Sequence, residues 1–211
     1  MLAKASGDDF NTVMKNSTSI LEQYGLKVES TEGTLKNTQR VTDSLTYVAN
    51  ATSAGFSDMG TAMEYVGPVA HGLNISLEQT ASAIGLMSNN GIEGEKAGTA
   101  LRGMLTRLLK PSKQNVEGFD ALGISFRAFQ KGSLTLPDLL DKIKKNTEDL
   151  TDSQRTALIA QAFGTEAQTG VNILVNQGAD ALRNLTNETK NADGYTHKLA
   201  KTMNETAASK C

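Results

Sequence analysis

Apolar residues along this chain recur at intervals of three and four, broken by glycines, prolines and capping residues, which predicts a series of short helices. Phe10, Val13, Ser17, Ile20, Leu21 and Tyr24 trace one helical face behind the acidic pair Asp8-Asp9, and Tyr24-Gly25-Leu26 reads as its terminator. Lys27 to Lys36 is polar, with Gly33 in the middle, and reads as a loop. Val41, Leu45, Val48 and Ala49 mark a second helix ending near Ala54-Gly55. Ser57-Asp58 is placed to cap a third, from Met59 to about Val66, where Gly67-Pro68 removes a backbone donor and breaks or kinks the path. Ser76 with Gln79 has capping-box spacing ahead of Leu77, Ala81, Ile84 and Met87, and Asn90-Gly91 stops that helix. Ala97, Leu101, Met104, Leu105 and Leu108 carry the next one, so the two read as an antiparallel helical hairpin.

Beyond Pro111-Ser112 a short helix bearing Val116, Phe119 and Leu122 is ended by Gly123. Ile124 and Phe126, then Leu134 and Leu136, alternate with polar residues about Lys131-Gly132, which suggests one small β-hairpin near 124–136. Pro137 opens a helix through Ile143, and Thr151 with Gln154 offers a second capping box for a helix reaching Phe163-Gly164. Helix resumes from Thr165 or Glu166 to Val175. From Gly178 the texture changes to a seven-residue spacing at Leu182, Leu185, Thr189, Ala192, Thr196, Leu199, Met203 and Thr206. Half of those positions are Thr or Ala, and Gly194 weakens the seam further, so this stretch reads either as a helix docked on the domain or as the start of a rod. The expected fold is all-α, a multi-helix bundle of short helices and helical hairpins, with a core domain over 1–177 and a helical extension over 178–211. The glycines at 60, 67, 85, 94, 98 and 103 point to close approach of neighbouring helices, since each glycine inside a helix costs about 1 kcal/mol relative to Ala.

Composition narrows the chemistry. In 211 residues, 38% are apolar and 5% aromatic with no Trp, enough for a lean core. The net charge of -2, from 21 basic and 23 acidic residues, gives no reason to expect binding dominated by nucleic-acid phosphates. No apolar stretch approaches the ~20 residues needed to span a bilayer, and Met1-Leu2-Ala3-Lys4 begins no signal peptide, so synthesis in a cytoplasm is expected. Cys211 is an ordinary thiol at the last position. His71 and His197 stand alone, outside any metal-ligand spacing, and no G-x-S-x-G elbow, phosphate-binding loop or EF-hand is present. No catalytic, metal-ligating or cofactor-binding residue is expected.

One ordered set of segments is more specific than any of these patterns. Gly67-Pro68-Val69-Ala70, a helix, and then the run Gly91-Ile92-Glu93-Gly94-Glu95-Lys96-Ala97-Gly98-Thr99-Ala100-Leu101-Arg102 occur in sequence. Val41-Thr42-Asp43, Tyr47 to Thr52, Leu122-Gly123-Ile124 and Phe163-Gly164-Thr165-Glu166-Ala167 flank them. Together they closely resemble the core domain of phage tail tape measure proteins, over roughly residues 35–205 or about four-fifths of the chain. Family members often carry an Asp and a Gly in the turn after Ile124; Arg127-Ala128-Phe129-Gln130 departs from that pattern, although Gly132 is retained.

The resemblance implies a structural protein that sets tail length during assembly and leaves ahead of the DNA during injection. It implies tail tube, tail-tip or baseplate and tail-assembly chaperone proteins as partners, self-association through helices, and a place in the lumen of the tail tube. At about 1.5 Å per helical residue the whole chain would span at most ~320 Å, so it reads as a folded module near one end of a longer ruler. The apolar faces around Leu77–Ile84 and Leu101–Leu108 are candidates for core or contact, with core favoured. Two other classes stand beside this reading: a free-standing inhibitor of a host or defence protein derived from the same gene, and a peptidoglycan hydrolase, for which no motif is present.

Overall fold

The computed structural model describes residues 10–208, and within them every regular element is an α-helix. In order they are α1 (Phe10–Gln23), α2 (Thr31–Ala51), α3 (Phe56–Gly72), α4 (Leu77–Ser88), α5 (Gly94–Leu109), α6 (Lys113–Ala121), α7 (Phe126–Gln130), α8 (Leu136–Asn146), α9 (Asp152–Phe163), α10 (Thr165–Gln177), α11 (Ala179–Lys190) and α12 (Tyr195–Ala208). Met1 to Lys4, the Asp8-Asp9 pair and Cys211 lie outside the described residues.

Most boundaries follow local capping chemistry. Gly25, at φ +60°, ends α1, and the Leu26 N–H donates back to the Leu21 carbonyl at 2.8 Å. Ser76 Oγ accepts from the Gln79 N–H at 3.1 Å. Thr151 and Gln154 cap each other, the Gln154 carbonyl oxygen taking the Thr151 N–H at 2.9 Å and Thr151 Oγ1 taking the Gln154 N–H at 3.3 Å.

The centre of the bundle is α4, in which every residue except Gln79 is buried. α2, α3, α5, α10 and α11 pack around it. A helix buried on all sides cannot show a polar face, so its hydroxyls turn inward: Ser82 Oγ donates to the Glu78 carbonyl at 2.7 Å and Ser88 Oγ to the Ile84 carbonyl at 3.0 Å. At the other end of the molecule Phe119 and Phe163, both fully buried, meet edge to face at 5.3 Å and join α6 to α9.

Three expectations are corrected. The segment 27–36 is a loop only as far as Ser30, whose Oγ accepts from the Gly33 N–H at 3.1 Å and starts α2 at Thr31. A serine cap followed by Glu32 in the first turn outweighs a glycine placed where few intrahelical bonds depend on it. α3 starts at Phe56 behind Gly55, with no side-chain cap from Ser57-Asp58, and is not broken at Gly67-Pro68 but continues as helix to Gly72. Pro68 has no N–H for the Glu64 carbonyl, but Gln23 Nε2 of α1 donates to that oxygen at 3.4 Å, and the proline ring itself is exposed.

The third correction concerns 124–136, where no strand forms. Ser125 Oγ accepts from the Ala128 N–H at 3.1 Å and caps the single-turn α7, and Gly132, at φ +76°, closes it. Two apolar residues on each side of a turn were too few to separate a strand from one helical turn. The α7 turn is also held from outside, since Gln130 Nε2 donates to the Leu108 and Leu109 carbonyls at 2.7 and 3.0 Å. α4 and α5, consecutive in the chain, touch, while α5 lies chiefly along α3 and α10.

Candidate functional site

The recognised motif residues converge on α5 and its two neighbours. Gly91, at φ +81°, makes the turn after α4, and Gly94, at φ +53°, begins α5 beside the Asp58 carboxylate of α3. One turn later Gly98 faces α3 so closely that a Cβ there would stand 2.6 Å from the Ala62 carbonyl oxygen and 2.9 Å from its Cα. Ala97 and Leu101 flank it and are buried. Across the helix, Ala100 meets Gly170 of α10, where a Cβ would come within 2.9 Å of the alanine methyl. α5 is therefore clamped on both sides by contacts that only small side chains permit.

The other motif residues serve the same frame. Gly67 is bare where the Gln23 amide crosses α3, so it and Pro68 together receive that side chain, and Ala70 is buried one turn on. Gly123, at φ +67°, ends α6, and the Ile124 N–H reaches the Phe119 carbonyl at 2.8 Å. Asn146 Nδ2 donates to the adjacent Leu122 carbonyl at 2.9 Å, tying the end of α8 to that turn. Phe163 is fully buried, and Gly164, at φ +89°, joins α9 to α10 beneath the Arg107 guanidinium, which pairs with Glu166.

Ile92, Thr99 and Arg102 have a different place. Thr99 and Arg102 are exposed and Ile92 is half-buried. Ile92, Glu95, Lys96, Thr99 and Ala100 face Glu166, Thr169 and Gly170 across an open groove of about 550 Å³. Its lining includes Ala100 and Gly170, its walls carry hydroxyls and both signs of charge, and Glu95 also accepts from the Tyr65 hydroxyl, which raises the Tyr65 pKa. A shallow channel with small residues in its lining suits another backbone segment better than a small molecule.

A second constellation was invisible to the sequence reading. Glu78 of α4 is buried and accepts two hydrogen bonds from the Arg40 guanidinium of α2, at 2.7 and 3.0 Å. Burial pushes the Glu78 carboxyl up, but the Arg40 hydrogen bonds, a backbone bond and the charges of Arg40 and Lys190 outweigh it and hold the group below its ordinary value. Asp43, equally buried, takes the Gly194 N–H at 2.8 Å and the Thr196 N–H at 2.9 Å and so caps α12 from α2. Both polar residues fall on the broad buried face of α2 and of α4; a charged residue inside an apolar stripe was the one available signal.

The two histidines are not brought into a site: His71 is exposed in the last turn of α3 and lies 5.4 Å from the Tyr24 ring, while His197 is exposed on α12. Among the described residues no three His, Cys, Asp or Glu groups are placed to hold a metal ion, and no helix is long and apolar enough to cross a membrane.

Comparison with known proteins agrees with the recognised motifs. The family model of phage-related minor tail proteins matches residues 1–164. The chain is 35% identical to a tape measure protein of Pneumococcus phage Dp-1 over 209 residues, which is 99% of this chain and 18% of that protein. It is 28% identical to a probable tape measure protein of Escherichia phage P2 over 166 residues, 77% of this chain and 20% of that protein. The chain thus spans about a fifth of the length of these curated relatives. No solved structure matches it.

Proposed function

The chain belongs to the phage-related minor tail protein family, and from that premise we propose that it is the folded module of a tape measure protein that sets tail length and takes part in genome ejection. The observation that carries this is end-to-end similarity: nearly the whole chain aligns with a segment of a tape measure protein. The role is structural rather than catalytic, and it sits in the virion tail, within the tube, after synthesis in the host cytoplasm. Tail tube, tail-tip or baseplate and assembly-chaperone proteins are the partners, with self-association through helices. The groove between α5 and α10, bounded by the exposed Thr99 and the half-buried Ile92 of the motif, is the contact we assign to one of them. Residues 1–177 are read as the module and 178–211 as the start of the extension; the exposure of every residue from 201 to 208 supports the outer end of that extension, while α11 is packed on the body.

In-frame deletions in a phage encoding this segment test the proposal. Removal of residues within 31–177 abolishes tail assembly rather than trimming the tail, whereas a deletion in a downstream helical rod shortens tails by about 1.5 Å per residue. Normal-length tails assembled without the module, seen by electron microscopy, overturn it.

A further inference from the structure

The seven-residue spacing of the C-terminal stretch runs without interruption from Leu182 to Thr206, yet the structure divides that stretch into two helices at Asn191–Gly194. A seam that keeps its period through a break is written for one continuous helix. The break rests on Gly194, at φ +73°, and on the Asp43 carboxylate, whose two oxygens hold the Gly194 and Thr196 N–H groups. In an unbroken helix those same groups would bond to the carbonyls of Lys190 and Ala192, four residues back. The Asp43 bonds and the continuous helix therefore exclude each other.

We infer that α12 is a latched segment, held against α2 by Asp43 in the state seen here and released by straightening Asn191–Gly194, which fuses α11 and α12 into one helix projecting from the body. The proposal rests on reading 178–211 as the start of an extension, and its test measures opening rather than tail length, so either can fail alone.

The two helices are attached in unlike ways. α11 is anchored: Leu182 and Leu185 are buried, and Arg183 reaches Asp138 and Asp141 of α8 at 2.9 and 3.0 Å. α12 is not. Only Thr196 and Ala200 of its residues are buried. Its remaining ties to α2 are two polar contacts, Thr196 Oγ1 to Thr46 Oγ1 at 3.4 Å and the Tyr195 hydroxyl accepting from Asn50 Nδ2 at 2.6 Å, and one ring contact, Tyr195 edge to face with Tyr47 at 5.1 Å. The polar groups find water when separated and both tyrosine rings are already partly exposed, so release uncovers little apolar surface beyond Ala200 and the ring contact. The fused helix, 179–208, would be about 45 Å long, with Leu199 and Met203 on the released part of its seam.

The test places spin labels at Lys36→Cys on α2 and Lys198→Cys on α12, in the 211-residue chain with Cys211→Ser, and measures the distance between them by pulsed electron resonance. One short distance is expected in this background. Asp43→Ala and Gly194→Ala are each expected to raise a second, longer population on the order of tenfold, and circular dichroism is expected to show helix content rising. A single short distance in the double variant, or a longer one with helix content falling, overturns the proposal. Should the double variant fail to fold, hydrogen exchange of the unaltered chain decides: the Gly194 and Thr196 N–H groups, which must leave Asp43 for the latch to open, exchange at least ~100-fold faster than α4 if it opens locally. Exchange of both only in a common global event overturns it.

Discussion

α5 and α12 are both helices packed on a longer neighbour, but they are held by different physics. α5 meets α3 through Gly98, where backbone approaches backbone and a side chain has no room. α12 meets α2 through one tyrosine ring pair and otherwise through a carboxylate, hydroxyls and an amide, polar groups that each have an alternative partner in water or in the helix itself. Steric complementarity of the first kind fixes one arrangement, because no small movement accommodates a change. Hydrogen bonding of the second kind selects an arrangement while leaving others close in free energy. One family domain thus carries a rigid centre and a detachable edge.

The largest expected effect comes from filling the rigid contact. Gly98→Val pushes a branched side chain against the Ala62 carbonyl oxygen, 2.6 Å from the new Cβ, and should cost at least ~3 kcal/mol by urea denaturation. If it costs under ~1 kcal/mol, the α3–α5 seat is not sterically fixed and the contrast with α12 dissolves.

Next is Glu78, which belongs to the centre but senses Lys190 at the edge. Its folded-state value lies below the ordinary 4.5. The stability it contributes is therefore fully present above that ordinary value and is lost as pH falls through the lower, folded-state one. Glu78→Gln should destabilise by about 2 kcal/mol at pH 7, since the Arg40 end of the pair remains partly solvated, and should flatten the acid limb of the stability curve. An unchanged slope below the ordinary glutamate range would show that the pair contributes nothing specific.

Gln23 offers a smaller, sharper test. Gln23→Ala should cost about 1 kcal/mol in the natural sequence and less in a Pro68→Ala background, where residue 68 supplies its own N–H to the Glu64 carbonyl. Equal costs in the two backgrounds would mean that the Gln23 amide does not compensate the proline. Smallest of all, Thr186→Val removes a buried hydroxyl that has no hydrogen-bond partner at the edge of α11 and should stabilise by about 0.5 kcal/mol. A loss instead would reveal a polar partner for that hydroxyl.

Much of the helical frame was legible along the chain. Ser76, Thr151 and Gly25 announce helix ends because a helix leaves its terminal donors and acceptors unsatisfied within one turn, and the residues that satisfy them sit three or four positions away. Gly67, Gly85 and Gly98 were legible as sites of close approach, but not their partners: Gly98 with Ala62, Gly67 with Gln23 and Gly85 with Val48 are pairs set by three-dimensional neighbours, and Gly118 and Gly170 were not singled out at all. The hairpin expected at 124–136 failed for a related reason. Its Gln130 reaches back to the end of α5, and that support favours a helical turn without leaving a trace in local periodicity.

By itself, then, the sequence determined the all-helical class, the capped ends and the family motif, since each rests on chemistry completed within a turn or on residue identity alone. Only the tertiary structure decided that α3 survives its proline, that α5 lies between α3 and α10, and that Asp43 divides α11 from α12. Those outcomes depend on groups far apart in the chain meeting at hydrogen-bonding or van der Waals distance, where one bond made or one Cβ omitted outweighs the local preference.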